Sequence, residues 1–101
     1  MNSLKKNGVW PVMPTPFTAS GQLDRRGCEA LIDWYLANRV DGIFTVCLSS
    51  EMFDLTAGER LELARLTVKR TGGAVPVVAC DGFGDTEAER LRSIRETADA
   101  G

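Results

Sequence analysis

The chain has 101 residues, the length of one domain or part of one. It is 44% hydrophobic and 26% charged, with a net charge of −2 and no basic cluster beyond Lys5-Lys6 or Arg25-Arg26, so no nucleic-acid partner is expected. No segment reaches the length of a membrane span or a signal-peptide core, and a soluble, cytoplasmic protein with no membrane contact is expected.

Residues 8–13, GVWPVM, predict a short first strand that Pro14 and Pro16 stop. Turn chemistry at Ser20-Gly21 follows, and Asp24 is a suitable N-cap for a first helix running to about Asn38. Cys28, Leu31, Ile32, Tyr35 and Leu36 fall on one face of it, at the spacing of a buried stripe. Trp34 and Tyr35 are read as helix packing, with a subunit interface as the other use. The turn RVDG leads to a second predicted strand, residues 43–47.

A second helix is expected from Thr56, where Thr56 and Glu59 have the T-x-x-E spacing of a capping box. Gly72-Gly73 marks its end. Residues 75–80, VPVVAC, form a continuous apolar run and predict a third strand covered on both faces. The loop DGFGD follows, and Thr86 with Glu89 predicts another capping box at the start of a third helix. In DGFGD the glycine spacing breaks at Glu87, so the dinucleotide fingerprint fails.

The order βαβαβα, with short apolar strands and amphipathic helices, predicts an α/β fold with parallel strands and right-handed crossovers. A doubly wound sheet and the first three βα units of a (β/α)8 barrel both fit. Either would bind ligands at the C-terminal ends of the strands: Pro14-Thr15, Ser49-Ser50-Glu51 and Asp81-Gly82. A full barrel takes about 250 residues. Residues 1–101 are therefore read as the N-terminal part of one truncated barrel, with no complete domain. Alone, such a segment is expected to fold poorly or to associate.

Cys28, Cys47 and Cys80 are widely spaced and the chain has no histidine. No zinc-ligand pattern and no Ser-His or Cys-His pair can be drawn from this set. Neither a metal nor a cofactor is expected, and the thiols are read as reduced.

The stretches GVWPVMPTPFTASGQLD, VDGIFTVCLSSE, LTAGERLEL and VPVVAC together resemble the dihydrodipicolinate synthase and N-acetylneuraminate lyase family. The ordered spacing of Thr15-Pro16-Phe17, Gly21, Asp24, Gly42, Glu51, Leu55, Glu59 and Pro76-Val77 carries the resemblance, which runs over residues 8–101. It implies a (β/α)8 barrel, usually a homotetramer, performing aldol-type cleavage or condensation of a small 2-oxo acid through a lysine Schiff base. In the family that lysine and its tyrosine partner come from later strands. The lysines here are Lys5, Lys6 and Lys69, none placed to line a barrel, so no catalytic residue is assigned within this segment.

The resemblance places the family's carboxylate-binding turn at Cys47, Leu48, Ser49, Ser50 and Glu51. It implies substrate contact by Ser49, Ser50 and Leu48, with Thr15, Glu51 and Gly82 supporting the site. Ser49 stands at the position whose hydroxyl holds the keto-acid carboxylate, and Leu48 where the synthases carry a proton-relay hydroxyl. Cys47, Ser50 and Cys80 replace family glycines. The missing relay hydroxyl favours a lyase or aldolase over the synthase reaction. The alternatives are a non-catalytic remnant and a keto-acid-binding module. Without the resemblance, both serines read as ordinary turn hydroxyls that satisfy nearby backbone.

Overall fold

Helix starts and stops follow the local chemistry. The computed structural model describes residues 8–80 and 82–100. The first helix, α1, is Arg25–Ala37, and the Asp24 side chain caps it by accepting the Gly27 N–H at 3.0 Å. Its face of Cys28, Ile32 and Tyr35 is buried. Helix α2, Ala57–Thr71, opens on a complete capping box: Thr56 Oγ1 accepts the Glu59 N–H at 3.1 Å and Glu59 Oε1 accepts the Thr56 N–H at 2.8 Å. It ends at Gly72, whose φ of 60° lies in the left-handed region where glycine is unstrained. Helix α3, Glu87–Asp99, makes half of its expected box. Thr86 accepts the Glu89 N–H at 3.1 Å, while the Glu89 carboxylate accepts from the Thr86 hydroxyl at 3.2 Å. No α3 residue is fully buried.

The sheet differs from expectation in extent. Two parallel strands are formed, β1 (Ile43–Thr45) and β2 (Val77–Ala79), paired Ile43 to Val77, Phe44 to Val78 and Thr45 to Ala79. The predicted first strand, residues 8–13, is instead an isolated parallel bridge, Val12 to Phe44. Met13 donates its N–H to the Phe44 carbonyl at 2.8 Å, and Phe44 donates to the Pro11 carbonyl at 3.0 Å. On one side Pro11 has no N–H with which to extend the ladder. On the other, the Met13 carbonyl is taken by the Ser50 hydroxyl. Val12, Phe44 and Val78 thus form one row, with β1 in the middle.

β1 stops at Thr45 rather than Cys47, because Val46 takes a φ of 51°. That is a strained value for a β-branched residue. Nor is β2 covered on both faces: Val78 is 42% exposed.

The core lies between this sheet and α1 and α2, with Met13, Cys28, Ile32, Ile43, Val46, Leu55 and Leu63 at its centre. Two buried threonines are satisfied within it. Thr67 Oγ1 donates to the Leu63 carbonyl at 2.7 Å and lies 3.4 Å from Thr45 Oγ1. Close packing also explains Gly42, where a Cβ would lie 2.3 Å from the Trp10 ring. Among the described residues no helix is long and apolar enough to cross a membrane.

Candidate active site

The segments after the Val12 bridge and after β1 meet at their C-terminal ends. The chain leaves β1 through Val46 and Cys47 and winds into two short 3-10 turns, Leu48–Ser50 and Met52–Asp54. The Cys47 carbonyl accepts two N–H groups, from Ser50 at 3.0 Å and Met52 at 3.2 Å. Glu51 joins the turns at a φ of 59° and donates its N–H to the Leu48 carbonyl at 2.9 Å.

The two serines face different surroundings. Ser50 is fully buried, and its hydroxyl donates to the Met13 carbonyl and lies 3.2 Å from Cys47 Sγ. The Ser50 carbonyl accepts the Thr15 hydroxyl at 2.6 Å. Ser49 is exposed. Among the described residues its N–H and hydroxyl have no hydrogen-bond partner. Leu48, beside it, is 71% exposed. Thr15, Ser50 and the 47–51 turn are therefore brought together, with Ser49 and Leu48 on the open side and Glu51 exposed.

Gly82 follows β2 at a φ of 75°, and a Cβ there would make only ordinary contact with Ile94, 3.8 Å away. Backbone conformation, not space, calls for glycine at that position. Lys5, Lys6 and Asp81 lie outside the described residues. Lys69 is exposed on α2, in a groove against α1 with Arg25, Glu29, Glu62 and Arg70. Among the described residues no three His, Cys, Asp or Glu side chains are grouped to hold a metal ion.

A neighbouring cluster was not singled out from the sequence. Arg60 Nη1 donates to the Leu55 carbonyl at 2.8 Å and the Met52 carbonyl at 3.2 Å. Its guanidinium carbon lies 3.9 Å from the centre of the Phe83 ring, which meets Phe53 edge-on at 6.4 Å. The sequence held one clue. A cation in the first turns of a helix opposes the helix dipole, so Arg60 needed another partner.

Of the cysteines, Cys28 and Cys47 are buried and Cys80 is half-buried. Burial pushes the Cys28 thiol up to about 11, and the carboxylates of Asp24, Glu29 and Glu62 add to the effect. The Tyr35 hydroxyl is raised by burial and by Cys47.

The dihydrodipicolinate synthetase family model matches residues 5–99. The chain belongs to this family. It is 38% identical over 80 residues to 4-hydroxy-tetrahydrodipicolinate synthase of Polynucleobacter asymbioticus, an alignment covering 79% of this chain and 26% of that protein. It is 37% identical over 91 residues to the putative 2-dehydro-3-deoxy-D-gluconate aldolase YagE of Escherichia coli, covering 90% of this chain and 30% of that one. The crystal structure of YagE in complex with pyruvate superposes with a TM-score of 0.84 at 34% identity, over 95% of this chain and 32% of that chain. The synthase of Methylacidiphilum fumariolicum gives 0.84 at 30% identity, over 96% and 32%. The chain thus spans about a third of the relatives' length and corresponds to the N-terminal part of their barrels.

Proposed function

We propose that this chain supplies the N-terminal part of a (β/α)8 enzyme that cleaves or forms a bond next to the carbonyl of a 2-oxo acid. In this proposal the turn Cys47–Glu51 holds the acid's carboxylate. The observation that carries it is the pair of open donors on Ser49, the N–H and the hydroxyl, at the C-terminal end of β1. Neutral donors held in place suit a carboxylate, because they stabilise the anion without reorganising when it arrives. The family relationship supports the same reading, as does pyruvate in the related YagE structure.

The chemistry is imine formation between a lysine and the 2-oxo group. The protonated imine then accepts electrons from the adjacent carbon. Lys69 is exposed in the groove between α1 and α2, and the family resemblance puts the lysine on a later strand, so the nucleophile is assigned outside residues 1–101. Within the chain, Ser49 orients the carboxylate, and through it the carbonyl carbon. Leu48 cannot pass a proton, which favours a lyase or aldolase over the synthase reaction. A cytoplasmic homo-oligomer, a tetramer as in the family, is the form in which the enzyme is expected to act.

Trapping with borohydride tests this. The 101-residue chain mixed with pyruvate should form no reduced adduct, whereas a barrel-length protein carrying this sequence should. In that protein Ser49→Ala should weaken pyruvate binding by about 1–3 kcal/mol, the cost of losing a hydrogen bond to a charged group. Efficient trapping by the short chain would refute the placement of the nucleophile. Unchanged affinity after Ser49→Ala would leave the turn without a role in binding.

A further inference from the structure

Ser50 has two hydrogen-bond donors and the fold engages both. The N–H donates to the Cys47 carbonyl at 3.0 Å and the hydroxyl donates to the Met13 carbonyl. A serine hydroxyl has one hydrogen. Nothing on this buried residue therefore remains to donate to an anion. Its oxygen can still accept, and the Cys47 thiol lies 3.2 Å away.

The bond between Ser50 and Met13 has a counterpart running the other way. Thr15 Oγ1, itself buried, donates to the Ser50 carbonyl at 2.6 Å. Two side-chain-to-backbone bonds thus cross between residues 13–15 and residue 50, one from each side. They join segments 35 and 37 residues apart in sequence. A single bond would leave the turn free to rotate about it. Two bonds, with Pro14 limiting the backbone between their anchors, set orientation as well as distance. Ser49 immediately precedes Ser50, so the direction of its open donors is inherited from this pair.

We propose that Thr15 and Ser50 are positioning residues: a reciprocal lock that preorganises the N–H and hydroxyl of Ser49 for a carboxylate, with Ser50 itself making no contact with substrate. The proposal rests on the keto-acid assignment above. It moves Ser50 from the binding set implied by family resemblance to the support of that set. Thr15 becomes the residue through which the first segment controls the turn after β1.

The test uses a barrel-length protein carrying this sequence, with pyruvate as the probe. Affinity is measured by calorimetry, and exchange of the residue-50 amide, which is hydrogen-bonded within the turn, by site-resolved hydrogen exchange. Thr15→Val removes the hydroxyl at nearly constant volume. It should weaken pyruvate about tenfold and speed exchange of the buried Ser50 amide, which donates to the Cys47 carbonyl, about tenfold, the size expected for one lost hydrogen bond. Thr15→Ser keeps the hydroxyl and should restore both to within about twofold of the parent. Ser50→Ala breaks the other arm, and serves if Thr15→Val does not fold. Its effect should combine with that of Thr15→Val to less than the product of the two, because both variants open one lock. Thr56→Ala, a lost cap on α2, provides a comparable stability loss away from the lock and should leave pyruvate affinity unchanged. The proposal is overturned if Thr15→Val changes neither readout, if Thr15→Ser is as defective as Thr15→Val, or if Thr56→Ala weakens pyruvate equally. Failure of the parent protein to bind pyruvate would defeat the keto-acid assignment alone, and exchange of the Ser50 amide in Thr15→Val would still decide the lock.

Discussion

The Arg60 guanidinium lies 3.9 Å from the Phe83 ring centre while holding the carbonyls of Met52 and Leu55. One side chain of α2 therefore joins the turn after β1 to the loop after β2. Arg60→Ala removes two charge-assisted hydrogen bonds and a cation–π contact, and is expected to lower stability by about 2–3 kcal/mol. Arg60→Lys should recover less than half of this, because an ammonium lacks the planar fork that stacks and bonds at once. Urea midpoints of the three proteins check the order.

Glu51 holds a left-handed conformation, φ 59°, with its side chain exposed. For a residue with a Cβ that backbone costs about 1 kcal/mol. Glu51→Gly is expected to be neutral or stabilising by up to about 1 kcal/mol, and Glu51→Val destabilising by at least as much. A stability loss in the glycine variant larger than that in the valine variant would show that the carboxylate, not the backbone angle, is what the turn requires.

Among the described residues three ion pairs link α1 to α2; the longest, Arg70 Nη1 to Glu29 Oε2, spans 3.6 Å, and the other two are close. Arg70 Nη2 contacts Asp33 Oδ2 at 2.6 Å, and Arg25 Nε contacts Glu62 Oε1 at 2.5 Å. The hydrogen bond from Arg70 holds the Asp33 carboxyl below its ordinary value of 3.8, and that from Arg25 holds Glu62 below 4.5. A carboxyl depressed on folding stabilises the fold above its unfolded pKa and loses that contribution as pH falls through the folded one. The loss therefore starts near pH 4.5 for Glu62 and near 3.8 for Asp33 and continues below. Both close pairs are open to solvent, so the effect is small and should shrink with added salt. The double variant Asp33→Asn, Glu62→Gln should flatten the dependence of the urea midpoint on pH below about pH 4.5.

The thiols should separate by burial. Cys28 is fully buried with its pKa raised to about 11, Cys47 is also buried, and Cys80 is half-buried. An alkylating reagent near pH 8 should label Cys80 first in the folded protein and all three thiols in urea. Because the Cys28 thiol is favoured in its neutral form on folding, its contribution to stability is complete below pH 9.0 and is lost as pH rises towards about 11. Cys28→Ala should remove that alkaline loss.

Signals completed within a few residues were legible in the sequence. Asp24 caps α1, Thr56 and Glu59 box α2, and Gly72 ends it, because each device is made by atoms one turn apart. The family motifs likewise located the turn after β1. The strand limits were not legible. Val46 reads as one more β-branched strand residue, yet it turns left-handed. The bridge at Val12 is short because of an N–H that Pro11 lacks and a carbonyl of Met13 that Ser50 takes. The clearest division lies between Ser49 and Ser50. They are the same residue type at adjacent positions, and nothing local distinguishes them. The tertiary structure does: Met13 and Thr15, more than thirty residues away, engage the hydroxyl and carbonyl of Ser50 and leave both donors of Ser49 open. Hydrogen-bond capacity is written in the sequence, but which donors the fold engages depends on what packing brings within about 3 Å.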